Sequence, residues 1–160
     1  MLTSLLCYNV DMKKYRFGFD YFGLVVFGLI MIPNVIWAFM PPAVDVLRKD
    51  SVTPLIDIIG SVFQVLMIAG LTFIVNSQKP RLSLSFSVIL CIACILIYSG
   101  CWIFYFNGIA VNSVIIGLTI TPCFAFIFAA LERSNYLSLI PIAGFTVCHL
   151  IFTLVNFIIP

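Results

Sequence analysis

The sequence predicts an all-α, polytopic integral membrane protein, a bundle of five transmembrane helices in a single domain, and three observations carry that prediction. Of its 160 residues 63% are hydrophobic and 9% charged, where a soluble domain carries about 25% charged residues, and the mean hydropathy is +1.22. The apolar residues gather into five runs, each near the 17–25 residues that cross about 30 Å of hydrocarbon at 1.5 Å per residue. The breaks between runs are short and hold helix-stopping and helix-starting residues. A net charge of +2 with dispersed Lys and Arg excludes a nucleic-acid partner, which would require a basic patch.

In chain order, residues 1–20 read as an N-terminal cytoplasmic segment with Lys13, Lys14 and Arg16 ahead of the first apolar run. Met12 followed by two lysines also reads as an alternative start, with 1–11 as an extension. A basic stretch before an apolar run also fits a signal peptide, but Pro33, Asn34 and Trp37 sit badly in one, and the length suits a span. The predicted spans are 21–40, 55–75, 83–106, 109–131 and 137–159. Pro41-Pro42 stops the first, and Asp50 to Pro54 offers caps and an N1 proline for the second. Residues 77–80 end the second span. Asn107-Gly108 predicts a left-handed turn, making the third and fourth spans an antiparallel hairpin. Glu132-Arg133-Ser134-Asn135 separates the last two.

Basic residues set the expected orientation. Lys13, Lys14, Arg16, Lys79, Arg81 and Arg133 fall on one side, Arg48 and Lys49 on the other, so the N-terminus is expected in the cytoplasm and the C-terminus outside the cell membrane. Trp37, Trp102 and Tyr105 are then expected at the outer interface, and Tyr15, Tyr21 and Tyr136 at the inner one. No internal repeat of the kind that builds inverted-repeat transporters is visible.

Polar residues inside lipid-spanning helices are costly and mark functional candidates. Asp57, Ser61 and Gln64 stand at i, i+4 and i+7 in the second span, within about 60° on a helix turning 100° per residue. His149, Thr153 and Asn156 repeat that spacing in the fifth, with Thr146 on the flank. In antiparallel neighbours, residues at one depth have numbers that sum to a constant, and here the pairs 57 with 156, 61 with 153 and 64 with 149 sum to 213 or 214. The two stripes are therefore expected to face each other and form a polar pocket opening outward, with Asn34 and Tyr98 at its rim. Ser99, Asn112, Ser113, Thr119 and Thr121 lie at similar heights. Each candidate also has a purely structural reading. Asp57 caps the first turn of its helix, Gln64 and Thr153 act as interhelical hydrogen-bond glue, His149 is a satisfied neutral histidine, and Asn34 repairs the backbone beside Pro33.

Catalytic signatures are missing: there is no Gly-rich phosphate loop and no HExxH, and a single histidine cannot build a multi-histidine metal site. No catalytic residue, cofactor or metal is expected. Of six cysteines, Cys7, Cys91, Cys94, Cys101, Cys123 and Cys148, five lie in apolar runs, where Cys91 and Cys94 read first as small packing residues.

Length and the five-span plan look like the tryptophan-rich translocator/sensory proteins, whose Trp-x-Pro-Pro loop is loosely echoed by Trp37-Ala38-Phe39-Met40-Pro41-Pro42, although this chain has two tryptophans. The CxxC resembles that of quinone-linked thiol oxidoreductases, but the loop-borne second cysteine pair is missing. Met12-Lys13-Lys14, the stretch 31–37, Pro41-Pro42 and Asn156-Phe157 together resemble small bacterial multi-pass membrane proteins, and that resemblance brings no activity with it. The expected function is non-enzymatic: binding or translocating a small solute or lipid through a pocket between the second and fifth helices. Expected partners are the lipid bilayer, that small-molecule or lipid ligand, and a second copy or another membrane protein. One rival reading is an accessory subunit docking through the small face of Ala125 and Ala129; another is a membrane-embedded thiol redox enzyme using Cys91, Cys94 or His149.

Overall fold

A computed structural model describes residues 14–78 and 82–159; Cys7, Met12, Lys13, Lys79 and Arg81 lie outside them. Five helices long and apolar enough to cross a membrane form an all-α bundle. Helix α1 is Tyr21–Phe39, α2 Pro54–Phe73, α3 Phe86–Phe106, α4 Asn112–Glu132 and α5 Leu139–Thr153. A 3₁₀ turn, Tyr136–Ser138, precedes α5, and a π turn, Leu154–Ile158, continues it.

Local chemistry explains most boundaries. The Asp20 side chain caps α1 by accepting from Phe22 N at 3.0 Å. Pro33 removes one backbone donor inside α1, and Asn34 adds one at the same turn through its amide bond to Ile30 O, 2.8 Å. Pro54 starts α2, and Ser85 caps α3, which therefore begins three residues later than position 83. At the end of α3, Gly108 has φ +82°, while its N–H reaches Tyr105 O and that of Ile109 reaches Phe104 O, both at 3.0 Å. These are the two bonds of a Schellman motif, which needs a left-handed residue and turns α3 back into α4.

The second span departs from its expected end. Helix α2 stops at Phe73, and Ile74–Asn76 leaves it as strand β2, pairing antiparallel with β1, Tyr15–Phe17. The apolar run 55–75 hides this change because Ile74 and Val75 suit a strand as well as a helix.

Helix α4 is the axle. Of its span 56% is buried, against 22–28% in the other four, and it packs against α1, α3 and α5 while α2 lies against α5 and α1. Helices α1 and α2 meet at Gly23, where a Cβ would stand 2.5 Å from Leu71 O; only a glycine permits this approach, the close backbone contact that membrane helices use.

The loop 132–135 proves to be a clasp. It is a second Schellman turn, with Ser134 N bonded to Leu131 O and Asn135 N to Ala130 O, although its left-handed residue is Ser134, at φ 49°. The Ser134 carbonyl accepts from Tyr15 OH and from Asn76 Nδ2. Asn135 Nδ2 donates to Gly70 O and Ile74 O, at 3.0 and 2.8 Å. Arg133 Nε meets Asp20 Oδ2 at 2.7 Å with both side chains largely buried, and Ser85 Oγ donates to Glu132. One short loop thereby ties β1, β2 and the ends of α1, α2 and α3 together.

Candidate ligand cavity

Between the helices lies a cavity of about 290 Å³, lined from all five. It is larger in extent than a seam between α2 and α5. Its walls are apolar, including Phe27, Ile30, Leu118 and Phe126, and its polar lining is Asn34, Gln64, Tyr98, Thr119, His149 and Thr153. Trp37 and Trp102 also line it. None of the lining residues is Asp, Glu, Lys or Arg.

The cavity takes in five of the eight sequence-predicted residues: Asn34, Gln64, Tyr98, His149 and Thr153. Asp57 and Ser61 stand elsewhere, on a groove along the flank between α2 and α5. Asp57 accepts from Thr53 Oγ1 at 3.4 Å in the first turn of α2, and Ser61 Oγ bonds back to Asp57 O at 2.8 Å. Asn156 lies in the π turn, where it accepts from Val52 N at 2.7 Å and donates to Thr53 Oγ1 at 2.8 Å. Asp57 and Asn156 are thus linked through Thr53. Of the three expected pairs, Gln64 and His149 both reach the cavity, whereas Thr153 pairs with Thr119 instead of Ser61, at 2.9 Å.

Counting protons shows which groups are spoken for. Thr119 Oγ gives its hydrogen to Ile115 O, so Thr153 donates to Thr119 and both hydroxyls are satisfied. Asn34 Nδ2 uses both hydrogens, on Ile30 O and on Tyr98 OH, the latter at 2.6 Å. Tyr98 therefore accepts, and its own proton has no acceptor among the described residues. Trp102 Nε1 is buried beside the Tyr98 hydroxyl without a well-formed hydrogen bond, and among the described residues neither Gln64 nor His149 has a side-chain hydrogen bond. Buried polar groups are normally paired, because an unmade hydrogen bond costs about 1–3 kcal/mol. Trp102 Nε1 is such a group, and the half-buried Gln64 and His149 and the Tyr98 proton add further hydrogen-bonding capacity to the same lining.

No family model matches this chain. No curated protein and no solved structure matches it either. What the site can do is therefore read from its own atoms.

The end of the cavity beyond Trp37 is roofed by the α1–α2 loop. Leu47, in the 3₁₀ turn Val46–Arg48, closes over the lining. Asp45 holds that turn down. It accepts from Tyr105 OH at 2.6 Å, from Trp37 Nε1 at 3.1 Å and from Arg48 Nε at 3.0 Å, while Leu47 N donates to Tyr105 OH at 3.1 Å. The Arg48 guanidinium also lies over the Trp37 ring, 5.3 Å from its centroid. Trp102 and Tyr105 are buried inside the bundle, at 4% and 0% exposure. The sequence does hold a signal for this: Tyr98, Trp102 and Tyr105 repeat the i, i+4, i+7 spacing of the polar stripes, and all three point inward.

Proposed function

We propose that this protein is a non-enzymatic membrane protein that binds a small, neutral molecule in the central cavity, with Gln64, His149, Tyr98 and Trp102 as its hydrogen-bonding contacts. The observation that carries this reading is the convergence of four polar groups with spare hydrogen-bonding capacity on an apolar space. Neutral charge follows from a lining without ionic residues, since an unpaired charge in a dry site costs several kcal/mol. Small size follows from about 290 Å³, the lower end of ligand pockets at roughly 300–1,000 Å³.

The test exploits the sign of the stability change. Gln64→Leu and His149→Phe each remove an unpaired polar group, so each is expected to raise the melting temperature of the purified protein in detergent, by about 1 kcal/mol of stability. Both should abolish the thermal shift that the parent shows with small neutral quinones such as duroquinone. A parent unmoved by any such compound, or variants that keep the parent's shift, would sink the assignment of these residues.

The reading also places the protein in the cell membrane with the Asp45 roof outside and the clasp loop in the cytoplasm, on the distribution of basic residues. A protease-sensitive tag on the N-terminus of the chain in intact cells is then expected to resist external protease, and one at the C-terminus to be cut. The reverse pattern would invert the orientation.

A further inference from the structure

We infer that the ligand reaches the cavity sideways from the bilayer, between α2 and α5, and is therefore a lipid-soluble neutral molecule; this inference rests on the binding reading above. A second concavity, of about 330 Å³, runs along the flank of these two helices past Gly60 and Cys148. It shares Gln64, Phe145, His149 and Phe152 with the central cavity. Those four side chains are the partition between the two spaces. On the adjoining face α2 exposes Ile58, Val62 and Val65, an apolar surface suited to acyl chains.

The partition is held by packing alone. Along the groove no hydrogen bond among the described residues joins α2 to α5: Ser61 bonds back to Asp57 O and Thr146 to Ile142 O, each within its own helix. Bonds that tie the α2 and α5 ends lie beyond the groove, at Asn156 with Thr53 and at Asn135 with Gly70. The His149 ring lies nearly flat on Phe145, centroids 5.0 Å apart and planes at 17°. This pair can swing aside without breaking a hydrogen bond. The roof is the opposite case, since lifting Leu47 breaks the charge-assisted bonds that Tyr105 OH and Trp37 Nε1 donate to Asp45. Of the two ways in, the flank resists less, and what arrives through it must first dissolve in lipid.

A disulfide can close that flank. A Cβ built on Gly60 stands 3.2 Å from Cys148 Cβ, a few tenths of an ångström inside the roughly 3.5–4.5 Å across disulfides, so with a small separation of the two helices Gly60→Cys should oxidise with the native Cys148. The chain's two tryptophans both line the cavity, and their quenching by duroquinone reports its arrival. In phosphatidylcholine vesicles, with reductant removed before mixing, the oxidised G60C protein is expected to quench about tenfold more slowly than its reduced form, about 1.4 kcal/mol of added barrier, while the saturating amplitude stays the same. Oxidation of the parent or of the G60C/C148S protein should leave the rate unchanged. Equal rates in oxidised and reduced G60C overturn the lateral route but leave binding intact. A slowing in G60C/C148S overturns the route as well, by tracing the effect to other cysteines. Absence of saturable quenching in the parent removes the binding reading itself, and the route with it. Should the crosslink fail to form, Phe145→Ala decides: widening the partition is expected to speed quenching several-fold, and an unchanged rate overturns the inference.

Discussion

Replacing Arg133 by alanine is expected to destabilise the bundle by about 1.5–3 kcal/mol, the cost of losing a hydrogen bond between charged groups. Asp20, only 3% exposed, would lose its 2.7 Å contact to Arg133 Nε. Asp20 does two jobs, pairing with Arg133 and capping α1 through Phe22 N, and Asp20→Asn separates them. Asparagine keeps an oxygen for the cap but loses the charge, so a large loss in this variant measures the ion pair and not the helix start. The pair D20N/R133L, which removes both charges, should cost less than the sum of the two single variants, because the two residues share one contact. Thermal melts in one detergent across the three variants provide the comparison. Single variants within about 0.5 kcal/mol of the parent would mean that the pair is solvated, as exposed ion pairs are, and that the loop 132–135 is no clasp.

The second large effect is expected at the other end. Asp45→Ala removes the acceptor shared by Tyr105 OH, Trp37 Nε1 and Arg48 Nε. Tyr105 is fully buried, so its hydroxyl proton loses its partner, and the total should reach about 2–3 kcal/mol by the cost of unmade buried hydrogen bonds to a charged group. Asp45→Asn should recover little. One of its atoms becomes an amide NH2 facing the donors of Trp37 and Arg48, and donors cannot satisfy each other. The same substitution should expose Trp37 to water, read as a red shift of its emission. A blue or unchanged spectrum with full stability would show that the roof stands without Asp45.

The two clasps explain why the cavity is a defined space. Helices in lipid gain nothing from the hydrophobic effect on meeting one another, so their arrangement rests on close packing and polar contacts. Here the polar contacts gather at the two ends, around Arg133 and around Asp45, and close glycine contacts such as Gly23 on Leu71 hold the helices between them. The middle is left with Gln64, His149, Tyr98 and Trp102 unspent.

The sequence by itself determined the elements. Five apolar runs of membrane length, Pro54 at a helix start, Pro41-Pro42 at a stop and Gly108 at a left-handed turn are local facts, decided by chain length and backbone sterics. It also set each residue's height along its own helix, because that follows from the rise per residue. What it could not decide was rotation. A stripe of Asp57, Ser61 and Gln64 covers about 60°, and tertiary packing turned its edge, Gln64, into the cavity and left Asp57 and Ser61 on the flank. In a soluble helix the apolar face would have fixed that rotation; with lipid outside and protein inside, both faces are apolar and the pattern carries no inward direction. For the same reason the strand Ile74–Asn76, the burial of Trp102 and Tyr105, and the roles of Asp20, Asp45 and Arg133 emerged only from which helices became neighbours.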